Sequence, residues 1–208
     1  MPHKGYLIVI EGIDGSGKST LARHLAQQLE QKNQAALLTK EPGGSPLGKS
    51  LRTILQTQEE PLCPAAEFLL FAADRAQHFE HIIIPALQQG ITVISDRGAD
   101  SSLAYQGYGY NLDRTMIANV NRWVMQGIEP DLVFFVKLDV AIAQARLAKR
   151  NLGLTSFEKR DRLFWQQTAQ GFETIFATRT NVVTLDGMLD EQTLMHQAWQ
   201  ALEKRLQK

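Results

Sequence analysis

The run Gly12-Ile13-Asp14-Gly15-Ser16-Gly17-Lys18-Ser19 has the spacing G-x-x-x-x-G-K-[ST], which suits a phosphate cradle. Glycines let the backbone turn its N–H groups inward against an anion, and the start of a following helix adds partial positive charge. In such a loop Lys18 reaches the β- and γ-phosphates of a nucleoside triphosphate. The Ser19 hydroxyl, just ahead of Thr20, sits on Mg²⁺. Asp14 is the anomaly: a carboxylate inside a loop built for anions.

Asp96-Arg97 closes an apolar run. An aspartate there can organise Mg²⁺ and its waters, and Arg97 can clamp a phosphate through two parallel hydrogen bonds. Ser101-Ser102-Leu103-Ala104-Tyr105-Gln106-Gly107 gathers hydroxyls, a phenol and an amide able to read the edges of a nucleoside. Phe71 and Arg75 are four apart and share a helix face. They could stack on a base and bond its edge, or be a core aromatic and a surface ion-pair partner. Lys40-Glu41-Pro42-Gly43-Gly44-Ser45 reads as a tight turn. Arg52, on the helix expected after it, is either a phosphate contact or a solvated charge. Arg146, Lys149 and Arg150 precede the stretch 151–156, and Lys159, Arg160 and Arg162 follow it. This basic loop is either a solvated face or a lid that carries cations onto a triphosphate. His78 and His81 flank Glu80, but no third ligand is suggested and a zinc site is not expected.

These residues need a frame. Apolar runs at 6–10, 35–39, 91–95, 131–138 and 182–185 read as strands, two of them nearly continuous, as in a sheet covered on both faces. Helical spacing occupies 20–31, 64–89 (with Pro85 a candidate kink), 112–126, 140–149, 157–176 and 190–207. Alternating strands and helices imply a doubly wound α/β domain, with ligands at the carboxyl ends of the strands. The chemistry-bearing segments follow the strands, as that rule requires. At 208 residues and 44% hydrophobic, the chain suits one domain, 1–208, with a full core. Lys and Arg number 22 and Asp and Glu 22, so the net charge is zero and no global field points to nucleic acid or a membrane. Cys63 has no partner for an internal disulfide, no leader is evident before the first strand, and no run approaches a membrane span. A cytoplasmic protein is expected.

Taken together, the segments EGIDGSGKST at 11–20, KEPGGSPLG at 40–48, LLFAADRAQH at 69–78, SDRGADSSLAYQG at 95–107 and PDLVFFVKLDV at 130–140 resemble the bacterial thymidylate kinases, in the family's order and over nearly the whole chain. The resemblance implies a P-loop NTPase-type three-layer fold with a five-stranded parallel sheet flanked by helices, a lid at about 146–160, and a homodimer. It implies Mg²⁺-dependent transfer of the ATP γ-phosphoryl group to dTMP. Residues 12–20 and Arg146 would serve ATP. By the same resemblance Phe71 would stack on thymine, Arg75 would bond its edge, and Ser102 and Gln106 would lie at the base. Tyr105 would pack against C2′, and Arg97 and Arg52 would hold the dTMP phosphate beside Glu41 and Pro42. Asp14 would accept from the 3′-OH. Three departures stand out: Gly98 after Asp-Arg where an aromatic or histidine is common, Thr155-Ser156 where the lid usually has Asp-Arg, and Gly15 where eukaryotic relatives have arginine. The cation at the transferring phosphate is then expected in the lid: Arg150 first, then Arg146, then Arg160.

Two other readings share parts of this pattern. Another P-loop kinase, acting on a different nucleotide or a deoxynucleoside, shares the cradle. A GTP-binding switch needs Asn-Lys-x-Asp, and here that place reads Val136-Lys137-Leu138-Asp139.

Overall fold

The computed structural model describes residues 5–57, 60–149 and 160–207. Five parallel strands, β1 (Leu7–Glu11), β2 (Ala36–Lys40), β3 (Thr92–Asp96), β4 (Leu132–Lys137) and β5 (Val182–Asp186), lie in the order β2-β3-β1-β4-β5. β1 is buried throughout and β4 nearly so, while the edge strands β2 and β5 are half-exposed. That contrast explains the continuous apolar runs at the centre. The order reverses beside β1, and the register sets Ile10 against Asp96, so the loops after β1 and β3 open into one crevice.

Side chains alternate across the sheet. Ile8 and Ile10 face α1 (Lys18–Gln31) and α9 (Glu191–Leu206), against Leu21, Leu25, Ala198 and Leu202. Leu7 and Val9 face the other way, against Phe79, Ile83 and Leu87. α8 (Arg162–Phe176) lays Phe164, Trp165, Phe172 and Phe176 on Phe135 and Tyr105. Each such buried aromatic contributes roughly 1.5–3 kcal/mol. Helix starts follow the sequence chemistry: Asp113, Asp139, Asp161 and Asp190 accept from backbone N–H groups at the starts of α6 (Arg114–Val124), α7 (Val140–Ala148), α8 and α9.

Two stretches differ from the periodicity. The expected single helix over 64–89 is α3 (Pro64–His78), a wide π-helical turn at Phe79–Ile83, and α4 (Ile84–Gln88). Pro85 has no N–H to donate and its ring crowds the preceding turn, so the wide turn stands where a kink was expected. Residues 99–109, assigned no element from sequence, form α5 (Ala99–Ser102) running into a π-helical segment, Leu103–Gly109. Packing against α8 holds this glycine- and tyrosine-rich stretch helical, with Gly171 letting Tyr108 approach within 2.7 Å of where a Cβ would stand. α2 (Pro46–Thr57) follows the Gly43-Gly44 turn as expected.

Candidate functional site

A cavity of about 960 Å³ opens at the carboxyl ends of the strands. Its wall brings together Asp14, Gly15, Gly17, Lys18, Ser19 and Thr20 of the phosphate loop, Glu41, Pro42 and Arg52 after β2, and Phe71 and Arg75 of α3. Asp96, Arg97, Ser101, Ser102, Tyr105 and Gln106 after β3, with Arg146 of α7, also line it. The three remaining loop residues stand behind the wall. The Gly12 carbonyl accepts from Arg97 at 3.1 Å and the Ile13 carbonyl from Lys18 Nζ at 2.8 Å; Ser16 Oγ is buried with no protein partner. Arg150, with positions 151–159 of the expected lid, lies outside the described residues.

Gly15 has φ +83°, and a Cβ there would come within 2.7 Å of the Ala143 carbonyl. The arginine of some relatives has no room at this position unless α7 shifts. Burial, and then Arg97, push the Lys18 ammonium down to about 8. Ser19 Oγ donates to Asp96 Oδ2. These hard oxygen atoms at the cavity wall fit Mg²⁺, which takes one or two protein oxygens and fills its octahedron with waters and phosphates. Among the described residues no group of three or more His, Cys, Asp or Glu is placed to hold a metal ion.

Arg97 occupies the left-handed region at φ +82°, a strained conformation for a residue with a Cβ. Its guanidinium donates to Asp14 Oδ1 at 2.5 Å, to Ser101 Oγ at 2.9 Å and to the Tyr105 hydroxyl at 3.2 Å. Burial would raise the Asp14 carboxyl, but Arg97 and Lys18 outweigh it and hold it below the usual range. Asp14 therefore adds no free negative charge to the loop. Beneath Arg97 lies Glu11, fully buried at the end of β1. It accepts from the Gly98 and Ser101 N–H groups and from Ser101 Oγ. Burial and the nearby Asp100 raise Glu11 to about 7.

Arg75 is not a surface ion-pair partner; it is 1% exposed. It donates to Glu41 Oε2 at 2.8 Å, Asn121 Oδ1 at 2.7 Å, Ser102 Oγ at 3.2 Å and the Gly98 carbonyl at 3.1 Å. Glu41 also faces His78 Nδ1 at 3.1 Å, while His78 Nε2 meets Thr39 Oγ1 at 2.7 Å. Burial opposes the Glu41 charge, yet Arg75 and His78 hold its carboxyl below the usual range. His78 thus has a structural place. It lies against Gly44, where a Cβ would come within 2.3 Å of Nε2. Asp74 Oδ1 accepts from the Gly43 N–H at 3.1 Å; its Oδ2 is buried without a partner, and burial, then Glu41, raise the carboxyl to about 6. Arg52 donates to the Pro42 carbonyl at 2.9 Å, across a Glu41–Pro42 bond that is cis.

Of the described basic residues on either side of positions 150–159, Arg146 lines the cavity and donates to the Gly187 carbonyl at 2.9 Å. Arg160 is instead turned to Glu67 of α3, at 3.3 Å. Sequence reading missed Glu11, Glu67, Asp74 and Asn121 as parts of the site, while Ser101, read there as one of the hydroxyls, lines the cavity. Only Glu67 left a signal: with Phe71 and Arg75 it makes a stripe of spacing four on α3. Cys63 is exposed.

The family model described as thymidylate kinase matches residues 10–198. The chain is 43% identical over 176 residues to the thymidylate kinase of Halothermothrix orenii, covering 80% of this chain and 85% of that one. It is 41% identical over 211 residues to that of Synechococcus sp. strain CC9902, covering 98% and 99%. It is 41% identical over 172 residues to that of an Exiguobacterium species, covering 82% and 81%.

Proposed function

The chain belongs to the thymidylate kinase family and transfers a phosphoryl group from ATP to dTMP, giving dTDP and ADP, and from that premise we propose how its residues divide the work. The observation that carries the reading is that one cavity joins the phosphate loop to the wall holding Phe71 and Arg75.

ATP lies along residues 12–20, with Lys18 exchanging the Ile13 carbonyl for a phosphate oxygen and Arg146 beside the nucleoside. dTMP lies in the other half. Phe71 stacks on the base, Arg75 and Ser102 meet its edge, and Tyr105 packs against the sugar at C2′. Asp14, already neutralised by Arg97, still has lone pairs to accept from the 3′-OH. Arg97 and Arg52, with the Glu41-Pro42 turn, hold the acceptor phosphate. That phosphate is largely ionised near neutral pH, its second pKa being about 6, so it needs no general base. The obstacle is bringing two polyanions into line, which makes catalysis a matter of positioning and charge neutralisation. Mg²⁺, held by Ser19 and Asp96, supplies further neutralisation of the phosphates when bound. Arg150 supplies the cation at the transferring group.

A homodimer fits the surface. α3 packs between α2 and α6, and these three helices expose Leu47, Ile54, Leu69, Met116 and Trp123. A second copy would cover such apolar residues. No described helix is long and apolar enough to cross a membrane, and the reading places the enzyme in the cytoplasm. The deciding experiment is a panel of dTMP, dUMP, dGMP and thymidine with ATP and Mg²⁺, followed by ADP release. dTMP is expected to be the preferred acceptor; preference for thymidine would refute the monophosphate reading.

A further inference from the structure

Glu67, Phe71 and Arg75 follow one another at intervals of four along α3, so they form one stripe about two turns long. Phe71 and Arg75 line the cavity and Glu67 does not. Glu67 is nevertheless 2% exposed and surrounded by donors. Gln106 Nε2 donates to its Oε1 at 2.8 Å, and the Tyr110 hydroxyl and Arg160 Nη2 donate to its Oε2 at 3.1 and 3.3 Å. The Arg160 guanidinium also lies 5.1 Å from the Tyr110 ring centroid.

A carboxylate only accepts, so it dictates which end of the Gln106 amide turns toward it. The NH₂ end faces Glu67, which leaves the carbonyl oxygen as the polar atom the amide can offer to the cavity it lines. A thymine edge carries a donor, N3–H, between two carbonyls; cytosine carries an acceptor at N3 beside an amino donor. An acceptor at Gln106 next to a donor at Arg75 matches the first pattern and opposes the second.

We propose that Glu67 is a positioning residue that sets selectivity for thymine over cytosine by locking the amide of Gln106 with its carbonyl toward the base. The inference rests on the proposed placement of the base beside Phe71 and Arg75. It makes Arg160 a brace for Glu67 and not a cation at the transferring phosphate.

The test compares kcat/KM for dTMP with that for dCMP in the full-length wild type, Glu67→Gln, Gln106→Leu and the exchanged pair Glu67→Gln/Gln106→Glu. A glutamine at 67 can donate to Gln106, which frees the amide to turn over. Glu67→Gln should lower the dTMP-to-dCMP ratio about tenfold or more, through KM for dTMP, with KM for ATP unchanged. The exchanged pair places an acceptor toward the base again and should restore the ratio to within about threefold. Equal losses on both nucleotides in Glu67→Gln would indicate mere structural support and overturn the proposal, as would an exchanged pair that fails to restore the ratio. If Gln106→Leu leaves KM for dTMP unchanged in an enzyme that still selects dTMP, Gln106 does not read the base. This inference then falls while the kinase reading stands. A wild type that does not use dTMP removes both.

Discussion

Arg97 reaches from the end of β3 across to the phosphate loop and donates to Asp14 Oδ1 at 2.5 Å, pairing a carboxylate 83 residues earlier in the chain. The contact ties the phosphate loop to the segment after β3 within one cavity. Asp14→Asn keeps the size and removes the charge, so Arg97 loses its strongest hold. A charge-assisted hydrogen bond of about 1.5–3 kcal/mol corresponds to roughly a 10–100-fold loss in kcat/KM for dTMP. KM for ATP should change far less. Steady-state ADP release with each substrate varied in turn checks this; an equal rise in both KM values would contradict it.

Lys18 is 5% exposed and has no carboxylate within its own loop except Asp14. With the phosphates as its proposed target, Lys18→Ala should cut turnover by at least about 10³-fold. The fold should remain, because removing a buried ammonium also removes its desolvation penalty. Circular dichroism and a melting curve beside the activity assay separate the two effects, and normal turnover would sink the mechanism.

Asp74 behaves in the opposite sense to a salt-bridged carboxylate. Its folded-state pKa is about 6 against 3.8 for the free group. The native state therefore binds a proton more tightly than the unfolded state, and this group's contribution to stability falls as pH rises from about 4 through 6. Asp74→Asn removes the buried charge beside Glu41. The variant should melt higher than the wild type at pH 8, by on the order of 1–3 kcal/mol, with the gain vanishing near pH 4. Thermal melts at both values decide; a gain independent of pH would point to packing alone.

Arg146 and Arg150 compete for the role of cation at the transferring phosphate. Arg146 is already held by the Gly187 carbonyl. Arg150→Ala is expected to lower kcat far more than it raises KM for dTMP, by about 10³-fold or more. Arg146→Ala should act mainly on KM for ATP. The reverse pattern in single-turnover rates would exchange the two assignments.

Trp123 on α6 is 78% exposed, unusual for so large an apolar side chain. A charge there would oppose burial against a second copy. Trp123→Glu should shift the protein toward monomer in light scattering at micromolar concentration. An unchanged mass would remove this face from the dimer.

Much of the frame was legible because its signals are local. The phosphate loop is made by consecutive residues whose glycines and helix start do the binding, so its spacing in the chain is its geometry. The buried strands show as short apolar runs because both their faces are covered. The wide turn at Phe79–Ile83 and the helical run through Leu103–Gly109 were not legible, since packing against other elements overrides their weak local preference. The cavity wall made by α3 and the segments after β2 and β3 was legible in residue types but not in state. Arg75 reads equally well as a surface charge until the sheet order brings Glu41, Ser102 and Asn121, at separations of 34, 27 and 46 residues, around one guanidinium. Glu11 stands one residue before the phosphate loop and Glu67 on the stripe with Phe71 and Arg75, yet spacing alone gives neither a role, and neither borders the cavity. Each holds a residue that does, and only the tertiary structure decides which backbone or amide a buried carboxylate must satisfy.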